Sequence, residues 1–361
     1  MQMTLRWFGK AMDTVRLEHI RQIPGVVGVV PALHDLPAGE AWPLARILAM
    51  KEEIEAAGLT MECIESVNVS EEIKLGGAQA ARHTENYKTS VRNLAKAGVR
   101  VICYNFMPVF DWTRTDLAMP LPDGSTCLSY DGRRVEGKLP EDMFREIDRN
   151  SNGYAMPGWE PHRIGEIKAL FARYRGVTGD DLWESLARFL REIIPVCAEC
   201  GVRMAIHPDD PPWDIFGLPR IVKNMEDIKR LLALVDHPCN GLTFCVGSLG
   251  ADEQNDLPAM IRQVGERIHF AHLRNVRRHA RGFNESAHPS SEGSLDMYKI
   301  VKALHESGFD GYVRPDHGRM LWGEVARPGY GLYDRAMGAA YLNGLFEAVQ
   351  KEDIWKEEVA R

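Results

Sequence analysis

The sequence of 361 residues predicts an α/β fold of the (β/α)8 TIM-barrel class, on three observations. Short β-branched, apolar runs alternate with longer stretches of helical spacing. About eight such runs can be counted, the number a closed barrel needs. No GxGxxG opens a helix, which weakens the alternative of an open doubly wound sheet and argues against a nucleotide cofactor. The expectation is a single barrel domain over residues 1–361.

The expected strands, in order, are TLRWFG (4–9), GVVGVVPAL (25–33), TMECIES (60–66), RVICYNFMP (100–108), RMAIHPDD (203–210), LTFCVGS (242–248), IHFAHLRN (268–275) and GYVRPDHG (311–318). Each is rich in Val, Ile, Thr or aromatic residues and ends in polar or turn-forming residues. Between them lie amphipathic segments such as YKTSVRNLAKAG, DLWESLARFLREIIPVCAECG and LDMYKIVKALHESG. Several end in Gly, which suits a left-handed cap before the next strand. The alternating order argues for parallel strands joined by right-handed crossovers.

One region breaks the rhythm. After the fourth strand, about residues 109–179 are rich in Pro, Gly, Asp and Arg. An insertion there lies at the C-terminal mouth of a barrel, where substrate loops collect, so we expect a lid or an oligomer contact. Trp112, Tyr130, Tyr154 and Trp159 give it apolar groups to bury, which argues against a disordered linker.

Composition excludes several classes. A net charge of -7 with no Lys/Arg-rich block argues against nucleic acid. The amino terminus lacks a secretory h-region and no stretch of about 18 apolar residues is present to span a membrane, so the expectation is a cytoplasmic protein. Seven scattered cysteines read as reduced thiols with one metal ligand among them. Cys197 and Cys200 spell CxxC inside a helical pattern without a second CxxC, and are expected as buried helix residues. His279 and His288 fall in a polar loop, with little to recommend them as substrate contacts.

The chemistry is concentrated at strand ends. His207 ends the fifth strand, Cys245 lies in the sixth, His272 in the seventh, and Asp316 with His317 at the end of the eighth. Within a strand, successive side chains alternate faces, but where the strand ends two neighbours can reach one space. Singly, a buried Cys is usually a small hydrophobe and a lone His a satisfied core group. Their coincidence on four consecutive strand ends points instead to a divalent ion such as Mn, Fe(II), Co or Zn rather than Mg or Ca.

The motifs LRWFG (5–9), YNFMPVFDWTRTDL (104–117), HPDDPP (207–212), FAHLRN (270–275), RPDHGR (314–319) and PGYGLYDR (328–335) carry a resemblance over nearly the whole chain. The chain resembles the mannonate dehydratases of the xylose-isomerase-like TIM-barrel group, which convert D-mannonate to 2-keto-3-deoxy-D-gluconate in hexuronate breakdown. The resemblance implies Mn(II) or Fe(II) held by His207, Cys245, His272 and Asp316, with His317 and a loop tyrosine transferring protons. Tyr330 is the best match for that tyrosine, with Tyr333 three residues on.

Removing the C2 proton beside a carboxylate needs a base within hydrogen-bond reach, and expelling the 3-hydroxyl needs an acid. His317 and Tyr330 suit these roles, which could be exchanged, and the phenol suits an acid if nearby positive charge lowers its pKa. Arg6, Arg274 and Arg319, with Asn105, Asn275 and Tyr333, are candidate substrate contacts by strand-end position or neighbourhood. A homo-oligomer acting on a small sugar acid is expected. A metal-dependent sugar isomerase or epimerase on the same barrel is the alternative reaction class, and a non-catalytic binding module the third.

Overall fold

The β-branched runs become strands. The computed structural model describes residues 1–137 and 164–360. Its strands are β1 (Gln2–Arg6), β2 (Val26–Val30), β3 (Cys63–Glu65), β4 (Val101–Tyr104), β5 (Asp116–Pro120), β6 (Thr126–Asp131), β7 (Arg203–Ile206), β8 (Asn240–Cys245), β9 (Ile268–His272), β10 (Val276–His279), β11 (Gly282–Glu285) and β12 (Tyr312–Arg314). Eight form one parallel sheet in the order β2-β1-β12-β9-β8-β7-β4-β3. Backbone bonds from Val29 N to Thr60 O and from Thr60 N to Val27 O, both 3.0 Å, bring its two edges together into a nearly closed barrel.

The helices are α1 (Leu17–Arg21), α2 (Leu44–Ala56), α3 (Glu71–Leu75), α4 (Ala80–Lys96), α5 (Ile164–Tyr174), α6 (Gly179–Cys200), α7 (Met225–Leu234), α8 (Val246–Leu249), α9 (Leu257–Val264), α10 (Met297–Glu306) and α11 (Tyr333–Ala360). Helix α6 shows why sequence and element coincide. Thr178 and Asp181 form a reciprocal capping box at its start, and Gly201 takes the left-handed conformation (φ 67°) that ends it. Its apolar face packs on α4, with the Tyr87 and Phe189 rings edge to face at 5.0 Å. Inside the barrel a separate cluster of Val30, Cys63, Val101, Cys103, Ala205, Phe270 and Tyr312 fills the lumen. All seven cysteines are free; Cys197 is buried in α6 as expected, whereas Cys200, the last residue of that helix, is only half-buried. No helix among the described residues is long and apolar enough to cross a membrane.

Each barrel strand is shorter than its sequence run, and the tails of those runs lie beyond the strand, in loops or, after β8, in α8. A second, antiparallel sheet, β10-β11-β6-β5, was not anticipated. It ties part of the insertion after β4 to the hairpin after β9, through pairs such as Phe283 with Tyr130. The segment expected as a lid thus contributes two strands of a sheet, while Tyr154 and Trp159 lie outside the described residues.

Candidate active site

The strand ends converge as their order in the sheet requires. His207 follows β7, Cys245 ends β8, His272 ends β9, and Asp316 and His317 follow β12, four neighbouring strands. Donor atoms of His207, Cys245 and His272 all lie within 4.8 Å of one another. The Nδ1 of His207 is 2.6 Å from the carbonyl oxygen of Pro208, which leaves Nε2 free to act as a ligand. The buried Nε2 of His272 makes no well-aligned hydrogen bond, with Glu65 Oε2 3.4 Å away. Two imidazoles and a thiol at this spacing fit a borderline divalent ion.

Asp316 stands beside this group. One carboxylate oxygen is 3.7 Å from the Cys245 Sγ and the other 3.8 Å from His272 Nδ1. Its backbone is left-handed, with φ 63°, so the chain turns as soon as β12 ends and Asp316 and His317 face a common space. Arg274 bonds one oxygen of Asp316, and Arg314 Nη2 bonds the other at 2.7 Å. Burial by itself would raise this carboxyl, but the charges of His317, Arg314 and Arg274 outweigh it and hold Asp316 well below the usual carboxylate range.

Asp316 is one link in a buried chain of alternating charge. Arg114 bonds Asp210 at 2.8 and 3.0 Å and Glu285 at 2.6 Å. Arg274 bonds Asp210 at 2.6 Å and Asp316, and Arg314 connects Asp316 with Glu65 at 3.0 Å. Against the cost of burial, these guanidiniums and the neighbouring histidines depress Asp210, Glu285 and Glu65 as well. Side chains so paired are held in one orientation, which is what a reacting site needs.

His317 sits between two partners. Its Nδ1 is 2.7 Å from Glu285 Oε1 and its Nε2 is 2.9 Å from the Tyr330 hydroxyl. The rings of Trp112, at 5.0 Å, and Tyr330, at 4.8 Å, flank the imidazole edge-on. A cavity of about 200 Å³ opens onto these groups and is lined by Arg6, Asn105, His207, Arg274, His317 and Tyr330 among others.

The model of the D-mannonate dehydratase (UxuA) family matches residues 1–356. The chain belongs to that family. It is 57% identical over 361 residues to a mannonate dehydratase from Geobacillus thermodenitrificans, covering 99% of this chain and 97% of the relative. It is similar to the crystal structure of mannonate dehydratase from Streptococcus suis, at 47% identity and TM-score 0.89, covering 98% of this chain and 96% of that one. A xylose isomerase-like TIM-barrel protein from Mycobacterium smegmatis shares the fold, at 13% identity and TM-score 0.53, covering 92% of this chain and 87% of that one. Membership makes the chain a hydro-lyase that eliminates water from D-mannonate to give 2-keto-3-deoxy-D-gluconate.

Among the expected substrate contacts, Arg6, Asn105 and Arg274 line the cavity, whereas Asn275, Arg319 and Tyr333 do not. Asn275 spends its amide on the surrounding loops: Nδ2 donates to Pro289 O at 3.0 Å, and Oδ1 accepts from Leu295 N at 3.1 Å. Arg319 is committed to Asp334 and Asp123. Tyr333 opens α11 and lies against Trp322, with 42% of its surface exposed. The condition set for Tyr330 as acid, a phenol lowered by nearby positive charge, is not met. Burial pushes the phenol up, and the nearby Arg314 and Arg6 do not compensate.

Sequence reasoning missed Glu285, Arg114, Asp210, Arg314 and Glu65 as parts of the site. Asp210 and Arg314 stood inside quoted motifs, HPDDPP and RPDHGR, where a second charged residue beside a ligand was the available signal. Glu285 carried none, because it lies in a hairpin without an apolar alternation.

Proposed function

We propose that D-mannonate is dehydrated in the cavity at the barrel mouth, with His317 and Tyr330 moving the protons. The observation that carries this is the placement of His317 between an acceptor, Glu285, and a donor, Tyr330, next to Asp316 and the three-donor cluster. The Tyr330 phenol carries a proton at neutral pH and can give it up, while His317, with the acceptor Glu285 at Nδ1, can take one at Nε2, which favours Tyr330 as acid and His317 as base. His317 Nε2 takes the proton from C2, the C2–H electron pair becomes the C2=C3 double bond, and the C3–O bond breaks. Tyr330 protonates the departing hydroxyl, so water leaves, and the enol tautomerises to the 2-keto acid.

His207, Cys245, His272 and Asp316 would hold Mn(II) or Fe(II). Such an ion supplies Lewis-acid stabilisation of the negative charge that builds on the substrate carboxylate. Arg274 and Arg6 line the cavity and offset the charge of an anionic sugar acid, while Asn105 offers it a hydrogen bond. A cytoplasmic location accords with seven free thiols. A homo-oligomer accords with the exposed apolar side chains of Trp322, Val325 and Met337 near the carboxyl-terminal helix.

The test pairs two variants. Cys245→Ser should lower metal content, because a hydroxyl replaces a thiolate ligand poorly. His317→Asn should keep metal content near that of the parent and abolish turnover. Equal metal loss in both would show that His317 is a ligand and not the base.

A further inference from the structure

We infer that Glu285, delivered by the second sheet, is the positioning residue that sets the tautomer and ring orientation of His317. The inference rests on the reading of His317 as the proton-transfer group.

Glu285 ends β11 and is 2% exposed. Its Oε1 lies 2.7 Å from His317 Nδ1, and the same oxygen accepts from Arg114 Nη2 at 2.6 Å and Nε at 3.1 Å. Glu285 Oε1 accepts from Arg114 Nε and Nη2 and lies 3.6 Å from Arg274 Nε, ion pairs that suit a carboxylate, and an ionised carboxylate only accepts. The proton of a neutral His317 therefore sits on Nδ1, and the lone pair on Nε2, the nitrogen 2.9 Å from the Tyr330 hydroxyl.

The rings of Trp112 and Tyr330 confine the plane of the imidazole, and hydrogen bonds at Nδ1 to Glu285 and at Nε2 to the Tyr330 hydroxyl fix which way it faces. A hydroxyl can donate or accept, so only the bond to the Glu285 carboxylate also fixes the tautomer. Arg114 in turn joins Glu285 to Asp210, so the hairpin that carries Glu285 is pinned to the loop after β7, where His207 also sits. The second sheet thus completes the arrangement of the proposed base.

The test uses the full-length, metal-loaded protein and the variants Glu285→Gln, Glu285→Asp and His317→Asn. A Gln amide is nearly isosteric and can present a donor to Nδ1, which favours the wrong tautomer. The expected result for Glu285→Gln is a kcat loss on the order of 10²–10⁴-fold, the range in which misorienting a general base by such a change falls. KM for D-mannonate, bound metal and the cooperativity of unfolding should stay near those of the parent, and Glu285→Asp should recover part of kcat. A purely structural role would move KM, metal and unfolding together with kcat. The inference is overturned if Glu285→Gln keeps kcat within about threefold while His317→Asn abolishes turnover. It is also overturned if kcat falls only in proportion to lost metal. Wild-type turnover in His317→Asn would overturn the underlying reading instead.

Discussion

Replacing Arg114 by Met removes a guanidinium that is fully buried and serves two carboxylates at once. It gives Asp210 hydrogen bonds of 2.8 and 3.0 Å and Glu285 bonds of 2.6 and 3.1 Å, and it lies over the rings of Phe283 and Trp112. Met retains most of the apolar contact and loses the charge. Asp210 then keeps Arg274 at 2.6 Å and Glu285 keeps His317 at 2.7 Å, so each carboxylate goes from two side-chain partners at hydrogen-bond distance to one. Breaking a buried charge pair costs about 3–5 kcal/mol, and we expect a loss in that range at pH 7.

The pH dependence has a definite sign. Asp210 and Glu285 are depressed in the fold, so their contribution is present above their ordinary values, 3.8 and 4.5, and fades as pH falls through the folded values. Arg114 is among the causes of both depressions, and the deficit of the variant should therefore narrow as pH drops below those ordinary values. Urea unfolding followed by far-ultraviolet circular dichroism at several pH values, at fixed metal occupancy, measures both quantities. A deficit below about 1 kcal/mol at pH 7, the worth of a surface pair, would refute the reasoning. So would a deficit that does not change with pH.

Tyr330→Phe should reduce kcat on the order of 10²–10⁴-fold with unchanged metal content, the range for losing a general acid, whereas Tyr333→Phe should leave steady-state turnover unchanged. Loss on both substitutions would mean that the exposed Tyr333 also reaches the substrate. His269 is buried and pushed down to about 4, mainly by burial, despite its hydrogen bond to Met204 O. The unfolded chain protonates this imidazole first, near 6.5, so stability should fall with pH between about 6.5 and 4, by about 2 kcal/mol at pH 5. His269→Gln should flatten that part of the unfolding profile, and an unchanged slope would rule His269 out as its source.

The barrel was legible because each strand is a β-branched run bounded by turn residues, and because Gly201 and its like mark where helices stop. The ligand candidates were legible for the same reason: strand ends in a barrel share a mouth, so order along the chain gives adjacency in space. Direction was not legible. Asn275 and Arg319 also follow strands, but their side chains close loops and ion pairs instead of facing the cavity. The second sheet was hidden because β10 and β11, VRRH and GFNE, are short and polar and pair with strands from a distant insertion. Glu285 was hidden with them, since only that pairing brings it to His317. The direction of the Tyr330 pKa was not legible, because cationic neighbours were foreseeable and the depth of burial was not.

The central claim is that His207, Cys245, His272 and Asp316 hold an ion on which dehydration of D-mannonate depends. The most direct measurement is turnover by chelator-stripped protein, with and without added Mn(II), scoring 2-keto-3-deoxy-D-gluconate itself. The account predicts product with the ion restored and none in its absence. Full turnover by protein shown to be free of metal would contradict it.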